Sequence, residues 1–135
     1  MHYTIVIIHS SVRWLLAVVA VAALVRVVVG VAGKQSYDRL AQGLMTALAM
    51  LASLQWLIGI VLLIVSARFG DARIWIHAAI MTVAVGATHM HRRWRGATDS
   101  VRYGASLGLI TAFLLLVVIG VAIVQGWSFG AYSGK

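Results

Sequence analysis

Two histidines stand inside apolar sequence, where a polar side chain needs a reason to be. His9 lies about a turn and a half into the first long apolar run, and His77 about one turn into the third. Arg13 follows His9 by four residues, and Gln55 interrupts the second run in Leu54-Gln55-Trp56. At a bilayer centre an ionisable side chain costs about 2.5–3.5 kcal/mol on insertion scales, so such residues mark a function or a specific pairing.

If the chain passes back and forth, the first and third runs point the same way. His9 and His77 then share a depth. Two neutral imidazoles at one depth on different helices suit axial ligation of a planar haem from both faces. Helical spacing adds Arg13, Leu16, Ala20 and Ala23 to the face of His9, and Met81, Ala84, Thr88 and His91 to that of His77. Small residues along both stripes leave space for a macrocycle, or for close helix packing without one. The Arg13 side chain leans towards the helix N-terminus. There it can meet a haem propionate as a charge-assisted pair, or snorkel to headgroups.

The expectation is one haem b per chain, with His9 and His77 on the iron and Arg13 and Gln55 beside it. Polar packing, metal binding and a proton relay are the other uses open to the histidine pair. Gln55 either bonds a neighbouring helix or touches a cofactor edge. His2 and His89 read as boundary or hydrogen-bonding residues. His91 lies fourteen residues past His77, about 21 Å further along a helix. No histidine stands at its depth on another run, so it is expected to face headgroups or the head of a quinone.

The elements that must hold these residues are helices. Apolar runs extend over about 4–32, 40–67, 74–91 and 103–129 of 135 residues, and about 20 residues cross a bilayer core. The connections Gly33–Arg39, Arg68–Arg73 and Arg92–Arg102 are short. The expected fold is an all-α membrane protein, a four-helix transmembrane bundle of up-down-up-down topology in one domain.

Composition agrees. Hydrophobic residues make up 62% and charged residues 10% of the chain, and there is no glutamate. A soluble domain carries about a quarter charged residues. No cysteine is present, which removes disulfides, thiolate catalysis, iron–sulfur clusters and thioether-attached haem. The net charge of +8 does not point to nucleic acid, because the basic residues flank the apolar runs and read as topology signals and contacts to membrane lipid. Lys34, Arg39, Arg92, Arg93, Arg95 and Arg102 fall on one side, against Arg68, Arg73 and Lys135 on the other. The positive-inside rule then puts both termini outside a bacterial inner membrane. Tyr3, Trp75 and Trp127 fit an outer aromatic belt, and Tyr37, Trp94 and Tyr103 an inner one. The chain shows no cleavable signal pattern at its start. Gly104 and Gly108 form a small-xxx-small pair, for packing within the bundle or for a homodimer face.

His9-Ser10-Ser11-Val12-Arg13-Trp14, Leu54-Gln55-Trp56-Leu57-Ile58-Gly59 and His77 together resemble the short bacterial four-helix proteins labelled "cytochrome B". The resemblance extends from about Met1 to Val124 in length and layout. It implies a b-type haem protein or a respiratory accessory subunit, and carries the family's histidines over to His9 and His77 and its arginine to Arg13. An acidic residue often precedes the third-run histidine in that family, whereas Ile76 stands here.

Two functions follow as expectations. One is electron transfer through a haem b, with quinol or within a larger respiratory or photosynthetic membrane complex. The other is a cofactor-free accessory or assembly subunit of such a complex. A transporter is disfavoured by the lack of intramembrane acids and paired broken helices. No nucleophile or catalytic carboxylate constellation marks a hydrolase or transferase.

Overall fold

Apolar runs without a single proline leave the helix as the conformation that satisfies their backbone polar groups. The computed structural model describes residues 2–124. These form four α-helices: α1 (His2–Ala32), α2 (Arg39–Ser66), α3 (Ala72–His89) and α4 (Asp99–Ile123). A 3-10 segment, Met90–Trp94, joins α3 to the loop before α4. Trp127, Lys135 and the end of the fourth expected run lie outside the described residues.

Helices α1, α2 and α4 are each long and apolar enough to cross a membrane. Helix α3 falls short of that measure. It has 18 residues, about 27 Å of helix, and Arg73, His77 and His89 dilute its apolar sequence. The tighter 3-10 segment takes over at Met90, so the third run ends as an α-helix two residues earlier than its apolar pattern implies.

The helices pack as a ring. Extensive contacts join α1 to α2, α2 to α3, α3 to α4 and α4 to α1. Helices α1 and α3 therefore sit on a diagonal, across a core that includes Leu16, Ala20, Ala23, Met45, Leu48, Ala84, Ile110 and Phe113. The outside of the bundle is apolar as well. Leu15, Val18, Val21, Leu57, Ile64, Val83 and Leu115 all expose a large share of their surface. A soluble domain does not present so much contiguous apolar surface.

Loop one is tied down by polar contacts. Asp38 caps α2 by accepting from the Ala41 N–H at 2.9 Å, and pairs with Arg26 at 2.9 Å. Backbone N–H groups at the helix start, followed by the guanidinium, hold the Asp38 carboxyl below its ordinary range. Arg26 also donates to the Gln35 side chain at 2.6 Å. Tyr103, in α4, reaches across to donate to the Ser36 carbonyl at 2.8 Å. This tyrosine is fully buried, which corrects its assignment to an aromatic belt: its hydroxyl finds its partner inside the protein and not at headgroups. Trp75 and Tyr3 are exposed as a belt requires.

Candidate functional site

The ring of helices leaves a cavity of about 160 Å³ between α1, α2, α3 and α4. Its walls are mainly apolar. Its polar lining includes His9, Arg13, Gln55 and His77, so all four expected site residues meet at one space. His9 comes from α1 and His77 from α3, on the diagonal of the ring, and both line this cavity.

Each histidine ring is held by one neighbouring helix. His77, in α3, donates from Nδ1 to the Gly120 carbonyl of α4 at 2.7 Å. That leaves Nε2 as the ring's lone-pair nitrogen. His9, in α1, lies against α2. The Gln55 side-chain nitrogen donates to the His9 backbone carbonyl at 2.9 Å and faces His9 Nε2 at 3.5 Å. Gln55 thus bonds a neighbouring helix and lines the cavity as well. His9 Nδ1 and Gln55 Oε1 are buried without a hydrogen-bond partner among the described residues.

Two glycines make room for these rings. A Cβ at Gly59 would stand 3.3 Å from His9 Cε1, tighter than ordinary van der Waals contact. A Cβ at Gly120 would collide with the Met81 methyl and lie 3.6 Å from His77 Nδ1. Gly59 belongs to the Leu54-Gln55-Trp56-Leu57-Ile58-Gly59 run singled out in the sequence. Gly120 was not, because a glycine in an apolar helix carries no signal of what crosses it.

Arg13 lines the cavity with its guanidinium 5.5 Å from the centre of the Trp14 ring. Trp56 lines it too, and donates from its indole to Thr82 at 2.9 Å, tying α2 to α3. The remaining histidines divide. His2 lines the cavity at the start of α1. His89 meets the Ser53 hydroxyl at 2.7 Å, an interhelical hydrogen bond as expected. His91 departs from expectation. It is buried, with Nδ1 donating to the Thr88 carbonyl at 2.7 Å, so its ring is covered by protein.

No family model, no curated protein and no solved structure matches this chain.

Two imidazoles are fewer donors than a closed structural metal site takes. Among the described residues no three His, Cys, Asp or Glu side chains gather into a group able to hold a metal. A structural ion of the zinc type takes about four protein ligands. A porphyrin brings its own four nitrogens and asks of the protein only axial donors. Two imidazoles lining one cavity can supply these, and a hydrogen-bonded Nδ1–H of the His77 kind is the usual support of a ligating histidine.

Proposed function

We propose that this chain is a b-type haem protein of the bacterial inner membrane that passes single electrons, with quinol or as a subunit of a larger redox complex. One observation carries the reading: His9 and His77, on diagonal helices, line one apolar cavity, with His77 oriented by a backbone carbonyl. His9 and His77 would hold the iron, Arg13 would face a propionate, and Gln55 would support His9. When bound, a haem b supplies a one-electron couple. The chain's own residues supply the axial nitrogens, the orientation of each ring, a cation at one edge and apolar walls that exclude water. The resemblance to the proteins labelled "cytochrome B" supports the same reading.

The proposed setting is a bundle of four antiparallel spans. Short loops favour it, because they join consecutive helices as antiparallel neighbours. The excess of basic residues in the loops after α1 and α3 favours cytoplasmic loops there and outward termini. In this setting α3 crosses the bilayer covered partly by its neighbours, which offsets its lower apolarity. A reporter fused at Lys135 should be active only when it functions outside the cytoplasm.

A second reading has an observation of its own. Among the described residues nothing lies within 4 Å of where a Cβ would stand at Gly104 or Gly108. That open track on α4 suits a partner helix, from a second copy or from a larger complex, as a cofactor-free accessory subunit would need. A pyridine haemochrome assay on the purified, detergent-solubilised chain separates the two. About one haem per chain is the result the proposal requires, and a ratio near zero supports the accessory subunit.

A further inference from the structure

We infer that Gln55 is a positioning residue that keeps the His9 proton on Nδ1 and so leaves Nε2 as the nitrogen able to bind a haem iron. The consequence for ligation rests on the haem reading above, whereas the placement of the proton does not.

The His9 backbone orients the Gln55 amide. Its nitrogen lies 2.9 Å from the His9 carbonyl oxygen, so an N–H must point there. Turned over, the amide would set two acceptor oxygens against each other at that distance. The same nitrogen has a second N–H, and it faces His9 Nε2 at 3.5 Å. Two N–H groups do not share one contact, so this contact favours a lone pair on Nε2. A neutral imidazole then has its proton on Nδ1.

His77 arrives at the same form by another route, because its Nδ1–H is committed to the Gly120 carbonyl. Both rings therefore present Nε2, held by partners on different helices. The two holds differ in strength. The His77 bond is short at 2.7 Å, while the Gln55 contact to His9 Nε2, at 3.5 Å, lies at the outer limit of hydrogen bonding. Gln55 thus biases the ring without blocking it. An iron bound at Nε2 would take the lone pair that the Gln55 N–H faces and so displace that contact, while the 2.9 Å bond to the carbonyl can still hold the amide. His9 Nδ1 and Gln55 Oε1 are a buried donor and a buried acceptor with no partner among the described residues.

The test uses the full chain, ¹⁵N-labelled at histidine, in detergent micelles without haem. Long-range ¹H–¹⁵N spectra report which ring nitrogen carries the proton, and the His9→Ala and His77→Ala variants assign the signals. The wild type should show the Nδ1–H form at both rings. Gln55→Glu replaces the donor by a carboxylate oxygen and should move the His9 proton to Nε2. Gln55→Leu should leave His9 as a mixture of forms. His77 should be unchanged in both variants, which shows that the bundle is intact. Titration with hemin should then find Gln55→Glu weaker by about tenfold or more, the loss expected when a ligand nitrogen is occupied by a bonded proton.

An Nε2–H signal for His9 in the wild type, or an unmoved His9 proton in Gln55→Glu, would overturn the role of Gln55. A wild type with the expected proton positions that binds no hemin would instead overturn the haem reading and leave the hold of Gln55 on the proton standing.

Discussion

The His77 ring is fixed to α4 by a single short hydrogen bond, Nδ1–H to the Gly120 carbonyl, 2.7 Å long. Met81 occupies the space where a Cβ would stand at Gly120.

Gly120→Val should therefore displace the Met81 methyl and press on Ile80, beside the His77 ring. Overpacking of this kind costs about 1–3 kcal/mol. Thermal unfolding in detergent should show the loss, and haem binding should weaken in the same variant. Gly108→Val, on an open face of the same helix, should change stability little.

Arg13→Leu tests the cation at the cavity. The variant should keep its haem but lower its midpoint potential, because a nearby positive charge favours the reduced, less positive iron. Partial screening at the membrane edge holds the shift to tens of millivolts, on the order of 1 kcal/mol. Potentiometric titration of the visible bands measures it.

The helices and the meeting of His9, Arg13, Gln55 and His77 at one cavity were legible in the sequence for a simple reason. Polar residues in apolar runs are conspicuous, and a period of 3.6 places them on faces. Contacts between distant residues were not legible. Nothing near Gly120 in the sequence marks it as the partner of His77. Tyr103 sits at a run boundary, where a tyrosine is ordinary, and only the packing of α4 beneath loop one makes it a buried anchor. His91 is expected at headgroups because no histidine stands at its depth on another run. The structure buries it instead, on the face that its spacing from His77 already gives it, so the lack of a depth-matched partner does not mean exposure.

Tyr103→Phe should isolate the value of that anchor. It removes a buried hydroxyl that donates to the Ser36 carbonyl at 2.8 Å. The expected loss is about 1 kcal/mol, rising to about 3 kcal/mol if the carbonyl stays buried and unpaired. Tyr37→Phe, whose longer contact to Ser106 is 3.2 Å, should cost less in the same unfolding assay.

Acid should loosen loop one through Asp38. Its carboxyl titrates below the ordinary range because the Ala41 N–H, and then Arg26, favour the charged form. A depressed folded value means that the contribution to stability is fully present above the unfolded value, about 4, and is lost as pH falls through the lower folded value. Melting curves between about pH 5 and pH 2 should fall for the wild type. Asp38→Asn should flatten that part of the profile.

His9 and His77, which line one cavity, are proposed to hold one haem between them. The most direct measurement is the visible spectrum, oxidised and reduced, of wild-type, His9→Ala, His77→Ala, His89→Ala and His91→Ala proteins purified with haem supplied during expression. The account predicts low-spin b-type bands in the wild type and in the His89 and His91 variants, and their loss in either of the other two. A normal low-spin spectrum in a chain lacking both His9 and His77 would contradict it.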